Sequence, residues 1–269
     1  MTSHPRIVVG IDGTPRGEDA VAFATVFARM VGTGLLLVYI YGPEETLADA
    51  HALLDPRRDA IGDVPVEITA YADHSPARGL ARVAAARNAD VVVVGSSHRA
   101  GMGLVFPGGT GERLLHDSDR AVAIVPAYWR SRHAGPPVRF GCGYDGSAQS
   151  EAALATATAL TQIASGELDV VDSATDPTYA LVAHSHELDL LVLGSRGKGP
   201  VNAAVTGSVS THVIREAACP VLVVTHNPPL VFIDLQHPAG SFSRSQRDIC
   251  ATSGTSRRIC SSSISRAGW

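Results

Sequence analysis

The sequence predicts an α/β protein made of two tandem open parallel-sheet domains, the second of which is shortened. Short runs rich in Val, Ile and Leu alternate with segments of helical periodicity. The strand-like runs are almost continuously apolar, which is typical of a parallel sheet covered by helices on both faces. The chain also repeats itself, so the same architecture is expected twice. In such sheets ligands bind at the carboxyl ends of the strands.

The repeat appears in two separate blocks. "VVGIDGTPRGEDAVAFA" resembles "FGCGYDGSAQSEAALATA", and Asp12 matches Asp145 at an offset of 133 residues. "NADVVVVGSSHRAG" resembles "ELDLLVLGSRGKG", and Asp90 matches Asp189 at an offset of 99. The second copy is therefore 34 residues shorter between the blocks, enough for one strand and one helix. Because "ELDVVDSATDPTYALVA" looks most like the third strand and third helix of copy one, we expect the second strand and second helix to be missing.

The elements of copy one follow a regular order of strand and helix. The strands are expected at "RIVVGID", "GLLLVYIY", "PVEITAYA", "DVVVVG" and "AVAIVP". The helices are expected at "GEDAVAFATVFARMV", "EETLADAHALLDPRRDAI", "PARGLARVAAARN" and "GTGERLLHDS". The second of these helices has the weaker pattern, and we expect Pro56 to break it.

Copy two has fewer elements. Its strands are expected at "RFGCGYD", "ELDVVD", "DLLVLG" and "PVLVVT", and its helices at "SEAALATATALTQIA", around "PTYALVAHSHE" and after Gly207. We assign domain 1 to residues 1–127, a linker to 128–137, and domain 2 to 138–226. Residues 227–269 are rich in Ser and Arg without periodicity, so we expect a disordered tail, in which "PLVFIDL" is an alternative edge strand.

Composition excludes several classes of protein. The formal charge of −4 over 269 residues gives no bulk attraction for nucleic acid. No apolar run is long enough to span a bilayer. The four cysteines form no CxxC pair, so we expect a reducing, cytoplasmic location without disulfides, and neither nucleic acid nor membrane as a partner.

A glycine-rich loop suggests an anion site. The run "LDLLVLG" leads directly into "GSRGKGPVNAAVTGS" and then a helix. Free backbone N–H groups and a helix N-terminus at such a place favour an anion. An ordinary loop is the alternative, and neither a P-loop nor a Rossmann fingerprint is present.

The motifs together resemble the universal stress protein family in its tandem two-domain form. Copy two fits the family pattern of Gly194-x-x-Gly197, nine further residues and then Gly207-Ser208. The first strand of each copy ends in G-x-D-G-[ST], as "GIDGT" and "GYDGS". The resemblance covers roughly residues 6–126 and 138–225.

The resemblance implies an ATP site, with or without Mg²⁺. In the family the loop glycines and Ser/Thr wrap the phosphates, while the Asp after strand one and the end of strand two meet the nucleoside. Carried over, the expected contact residues are Gly10, Asp12, Ile40, Gly95, His98, Arg99, Gly108, Gly109, Thr110, Gly143, Asp145, Gly194, Gly197, Gly207 and Ser208. Asp12 and Asp145 also suit a second interpretation as turn and helix-cap residues.

Each copy departs from the family pattern. In copy one His98 stands where the second glycine belongs and Gly109 where the Ser/Thr belongs, although Arg99 and Thr110 offer donors nearby. In copy two we expect the strand that walls the adenine to be missing. The missing strand is the larger defect, so we expect copy one to carry most of the binding.

The function implied is that of an ATP-binding stress or signalling protein without strong catalysis, acting as a homo-oligomer. A slow ATP hydrolase and a scaffold without nucleotide are the alternatives. No Ser/His/Asp arrangement stands out, so no catalytic residue is named. His184 and His186 have no third partner by sequence, and no metal site is expected.

Overall fold

The protein is a helix-covered sheet of ten strands. The structure, a computed structural model, describes residues 6–97, 104–105, 107–133, 135–172, 176–195, 208–225 and 257–260. The strands are β1 (Ile7–Ile11), β2 (Leu35–Tyr41), β3 (Val66–Ala72), β4 (Val91–Gly95), β5 (Ala121–Val125), β6 (Arg139–Gly143), β7 (Glu167–Val171), β8 (Leu190–Ser195), β9 (Val221–Thr225) and β10 (Arg257–Cys260). The helices are α1 (Pro15–Val31), α2 (Leu47–Ile61), α3 (Pro76–Ala86), α4 (Gly109–Asp117), α5 (Trp129–Arg132), α6 (Ala148–Ala164), α7 (Pro177–Ser185) and α8 (Ser208–Glu216).

The two copies join edge to edge in this sheet. The strand order is β10-β7-β6-β8-β9-β5-β4-β1-β2-β3. Within each copy the strands run parallel, but β5 pairs with β9 antiparallel, with Ala123 opposite Leu222. The strands of copy two therefore run opposite to those of copy one. Consequently the carboxyl ends of the copy-one strands and those of the copy-two strands point in opposite directions along the strand axes, and the two candidate sites lie at opposite ends of the strands.

Helices cover both faces of the sheet and enclose two apolar cores. One core lies under α1, α2, α5 and α6, and it contains residues of both copies, such as Phe27 and Phe140. The other core lies under α3, α4, α7 and α8. The strands that the two layers enclose are buried on both faces, which explains their unbroken apolar sequences.

The strand missing from copy two is the third, contrary to our expectation. β7 pairs in parallel with β6, with Gly143 opposite Val171, as β2 pairs with β1, where Gly10 is opposite Val38. β7 also follows α6 as directly as β2 follows α1. The helix assignment was correct, because α7 packs on α8 as α3 packs on α4. Among the residues of copy two that the structure describes, β3 and α2 therefore have no counterpart.

The outer edge of β7 is paired by part of the C-terminal segment. β10 runs antiparallel to β7, and Arg258 lies opposite Asp169 in the register. These four residues therefore depart from the expected disorder of residues 227–269. An exposed strand edge carries N–H and C=O groups that need partners, and β10 supplies them where β3 is absent. "PLVFIDL" lies outside the described residues.

The segment between the copies is attached to copy one. Trp129 is buried, and its ring meets Phe23 edge-on, with ring centroids 5.4 Å apart. The His133 ring stacks on Trp129 at 5.0 Å. Although its composition suits a linker, residues 129–132 form the short helix α5.

Helix α2 continues through Pro56, so the predicted break was wrong. Proline removes one intrahelical hydrogen bond. On this helix Ala50, Leu54 and Ile61 are buried, and this packing holds it on the sheet. The guanidinium of Arg57 also donates to the backbone carbonyl of Leu53. No helix among the described residues is long and apolar enough to cross a membrane.

Candidate functional site

The end of β1 forms a tight turn built on Asp12. Its Oδ1 accepts hydrogen bonds from the Thr14 backbone N–H at 3.0 Å and from the Thr14 hydroxyl at 2.7 Å. Gly13 has φ +73°, a conformation that favours glycine. Thr14 in turn caps α1 by accepting from the Gly17 N–H. The turn interpretation of Asp12 is therefore confirmed for Oδ1, and its exposed carboxylate keeps Oδ2 at the carboxyl end of β1.

Copy two repeats this turn. Asp145 Oδ1 accepts from the Ser147 N–H at 3.0 Å and from its hydroxyl at 2.5 Å, and Gly146 has φ +76°. Ser147 caps α6 through the Ser150 N–H. The hydroxyl of Ser147 stabilises the carboxylate and lowers the pKa of Asp145, against a smaller opposing effect of burial. Asp145 is therefore anionic at neutral pH.

Gly95 and Gly194 bring the strand ends against the same helix turns. A β-carbon on Gly95 would lie 2.7 Å from the backbone carbonyl carbon of Arg16. A β-carbon on Gly194 would lie 2.5 Å from the backbone carbonyl carbon of Gln149. Each glycine therefore lets the first turn of α1 or α6 approach the strand that enters the glycine-rich loop. In copy one this helix turn therefore lies between Asp12 after β1 and Gly95 at the end of the neighbouring strand β4. Copy two has the same arrangement with Asp145 and Gly194.

In copy one the two described ends of the loop meet again at α4. A β-carbon on Gly108 would be 3.2 Å from Cβ of Ser97. Gly108 is the N-cap of α4 and provides no side-chain hydrogen bond to its first N–H groups. Gly109 has open space around it, and Thr110 lies in the first turn. The described residues thus place no side-chain cap on the first N–H groups of α4, which are donors for an acceptor at this end of the strands.

The end of β2 adds two residues that sequence reasoning missed. The Tyr39 hydroxyl donates to the Glu45 carboxylate, which raises the pKa of Tyr39 to about 12. Asp12 adds to this shift through its charge, so the tyrosine lies within its electrostatic reach. Neither residue belongs to a recognised motif. The acidic "GPEE" after the strand was the available signal.

Ile40 and the two strand glycines face the helices. A β-carbon on Gly79 in α3 would lie 2.8 Å from Cδ1 of Ile40, so this half-buried side chain packs on α3. A β-carbon on Gly10 would meet Leu80 at 2.8 Å, and one on Gly143 would meet Leu181 at 3.2 Å. Gly10 and Gly143 thus make room for α3 and α7. Because the side chain of Ile40 packs on α3, Ile40 offers the candidate site its backbone at the end of β2.

Of the remaining expected contact residues, the structure describes Ser208. Four others lie outside the described residues, namely His98, Arg99, Gly197 and Gly207. Ser208 is the first residue of α8, in the position expected for the Ser that follows the glycine loop. The thiols of Cys142 and Cys219 are buried, and burial raises the pKa of Cys219 to about 12.

Comparison with known families decides what this arrangement belongs to. The family model described as the universal stress protein family matches residues 4–126 and 167–225. The chain belongs to the universal stress protein family. The second matched segment begins at β7, and both segments contain a strand that enters a glycine-rich loop.

Individual relatives support the family assignment. A universal stress protein of Mycolicibacterium smegmatis is 23% identical over 288 residues, covering 81% of this chain and 96% of its own. A universal stress protein of Mycobacterium tuberculosis is 41% identical over 61 residues, which is 23% of this chain and only 20% of that relative. The crystal structure of a universal stress protein from Archaeoglobus fulgidus covers 82% of this chain and 98% of its own, with 18% identity and a TM-score of 0.65. At 18% identity, this similarity shows that the two proteins share a fold.

Proposed function

We propose that this universal stress protein binds ATP, with or without Mg²⁺, and that the bound nucleotide serves a regulatory role in stress response. The observation that carries the proposal is the repeated constellation at the strand ends. In each copy an Asp-Gly-Thr/Ser turn and the glycine that opens the loop lie against one helix turn. A single turn of this kind is ordinary helix capping. Its recurrence beside a glycine-rich loop favours a ligand site.

The phosphates are assigned to the glycine loops and the helices that follow them. In copy one the first turn of α4 has no side-chain cap, and the space beside Gly109 is open. Backbone N–H groups at a helix N-terminus suit phosphate oxygens. The nucleoside is assigned to the ends of β1 and β2, where Oδ2 of Asp12 is an acceptor for a ribose hydroxyl or an adenine amino group.

We propose binding rather than turnover. The side-chain carboxylates at the strand ends, Asp12 and Asp145, already accept hydrogen bonds from their own turns. The lowered pKa of Asp145 makes it a weak general base at neutral pH. ATP then acts by binding one arrangement of the protein better than another. We also keep homo-oligomerisation as a prediction, which light scattering with and without ATP tests.

Calorimetric titration with ATP and Mg²⁺ tests the proposal. We expect a dissociation constant of about 1 μM or weaker, which corresponds to about −8 kcal/mol, and weaker binding of GTP. The informative variants are Asp12→Asn and Asp145→Asn. Asparagine retains Oδ1 for the turn and removes the charge, so binding should weaken. The thermal midpoint of Asp145→Asn should also fall slightly, because the fold stabilises that carboxylate through Ser147, so both titrations are made well below the midpoints of the variants.

Two outcomes would contradict parts of the proposal. Absence of heat and of any thermal shift with millimolar ATP and Mg²⁺ would favour the scaffold without nucleotide. Steady phosphate release that Asp145→Asn abolishes would favour the slow hydrolase instead.

A further inference from the structure

The outer edge of β7 differs from the matching edge in copy one. There β2 is covered by β3 over seven register pairs, from Leu35 opposite Val66 to Tyr41 opposite Ala72. In copy two β3 has no counterpart, and β7 is paired on that side by β10 over four residues. The C-terminal segment thus occupies the sheet position of a strand that the second copy lacks.

Without β10, β7 would be an edge strand of the sheet although its side chains are buried. Leu168, Val170 and Val171 are buried, and Asp169 is only 8% exposed. A buried, apolar edge strand is a template for pairing with another chain. An added strand gives its outward N–H and C=O groups regular backbone partners.

Two of the four register pairs match in residue type, one on each face, whereas Arg257 lies opposite the buried Val170. Ile259 lies opposite Leu168, which belongs to the core under α1 and α6. Arg258 lies opposite Asp169 on the other face. Directly opposed residues of an antiparallel pair share a face, and opposite charges there are favourable. A slip by one residue would place Ile259 opposite Asp169 and would move every residue to the other face.

We propose that the outer edge of β7 is a strand-docking site and that residues 257–260 of the same chain are its ligand. The pairing is specified by Arg258 opposite Asp169 together with Ile259 opposite Leu168. β10 is separated from β9 by 31 residues along the chain, so its pairing with β7 is long-range in sequence and carries an entropy cost of closure. The same site therefore accepts this segment from a separate peptide when the pairing of the chain's own copy is weakened.

Hydrogen exchange of the full-length protein tests the pairing. Arg258→Glu places a like charge opposite Asp169, so the amides of β7 should exchange up to about fivefold faster, the equivalent of a cross-strand pair contributing about 1 kcal/mol. Arg266→Glu is the matched control, because it makes the same charge change in the tail beyond β10. The double variant Asp169→Arg/Arg258→Asp should restore slow exchange. β3 serves as the internal reference and should not change.

A second measurement asks whether the site binds in trans. The full-length Arg258→Glu protein, in which a like charge weakens the pairing of its own β10, is titrated with a fluorescent peptide of residues 254–263 and with the same peptide carrying Arg258→Glu. Saturable binding of the first peptide that the substitution weakens supports the proposal. If Arg258→Glu and Arg266→Glu give equal exchange at β7, or if the two peptides bind equally or neither binds, the proposal is overturned.

Discussion

The carboxylate of Asp19 accepts the backbone N–H of Tyr128 at 2.7 Å, although 109 residues separate the two in sequence. Its second oxygen accepts the N–H of Arg130 at 3.1 Å. Asp19 lies in α1 and is 3% exposed, and Tyr128 has φ +64°, an uncommon conformation for a residue with a side chain. One buried side chain of copy one therefore fixes the start of the segment that leads to copy two.

Replacing Asp19 by Ala should destabilise the protein. Two part-buried N–H groups would lose a charged acceptor, and hydrogen bonds to charged groups contribute about 1.5–3 kcal/mol each. Asp19→Asn retains one carbonyl oxygen, so its loss should be smaller. Chemical denaturation measures the free energy of unfolding of both variants. If Asp19→Ala stays within about 0.5 kcal/mol of the parent, as surface changes usually do, the attachment is unimportant for stability.

Adding a methyl group at Gly95 or Gly194 should also destabilise the protein. At both positions a β-carbon would overlap backbone atoms of the first turn of α1 or α6, which cannot move aside as a flexible side chain can. Overpacking of this kind typically costs about 1–3 kcal/mol. Gly109→Ala is the control, because its β-carbon would meet nothing within 4 Å in the protein. Equal thermal midpoints for the three variants would contradict this account.

Asp73 should contribute stability that acid removes. Its carboxylate is bound by the Arg78 guanidinium at 2.6 Å and by the Ser75 N–H at 2.8 Å, and these contacts lower the pKa of Asp73 from 3.8 to about 2. A pKa lowered by folding means that the contribution is complete above about pH 4, the ordinary value in an unfolded chain. It is lost as the pH falls from there through about 2.

The variant Asp73→Asn isolates this contribution. Because asparagine does not titrate, the difference in unfolding free energy between the parent and Asp73→Asn should be constant near neutral pH and should shrink between about pH 4 and pH 2. Arg87→Met, which removes the exposed pair with Glu67, is the control for loss of an ion pair at the surface. A difference between parent and Asp73→Asn that does not change with pH would contradict the assigned cause.

Strand and helix order was predictable because each element has a strong local pattern. The doubly buried strands read as Val/Ile/Leu runs, and Thr14 and Ser147 mark the helix starts. Which strand copy two lacks was not predictable from similarity of short runs. "GELDVV" carries Glu167 and Asp169, and these made it look unlike the apolar β2. Only its pairing with β6 fixes its place in the sheet.

The site was predictable where a motif needs a special backbone. Gly13 and Gly146 adopt positive φ, and Asp12 and Asp145 hold the turns that follow. The contact of Asp19 was not predictable, because its partner Tyr128 lies 109 positions along the chain. The contact of Tyr39 with Glu45 was not predictable, because neither residue belongs to a motif. The strand β10 was not predictable from its own sequence either, because it forms by pairing with β7. In copy one the matching strand β2 is covered by β3 instead.

The position of β7 also changes the expected ranking of the two candidate sites. We expected copy one to bind more strongly because copy two seemed to lack the strand that walls the adenine. That premise is wrong, since β7 pairs with β6 as β2 pairs with β1. Copy one has α2 and β3 beside its site, but the difference that bears on the phosphates is the loop sequence, where copy two has the complete glycine pattern and copy one has His98 in place of a glycine.

We therefore predict that copy two is the tighter ATP site. A β-carbon at the second glycine position would crowd a phosphate that approaches the backbone there, and the sequence of copy two has Gly197 at that position. Asp145→Asn should weaken the tighter phase of an ATP titration by about tenfold, which corresponds to about 1.4 kcal/mol. Asp12→Asn should change only the weaker phase. His98→Gly should narrow the gap by tightening copy one, and this gain separates a loop effect from any general loss of stability. If Asp12→Asn removes the tighter phase and Asp145→Asn does not, copy one is the main site despite its loop.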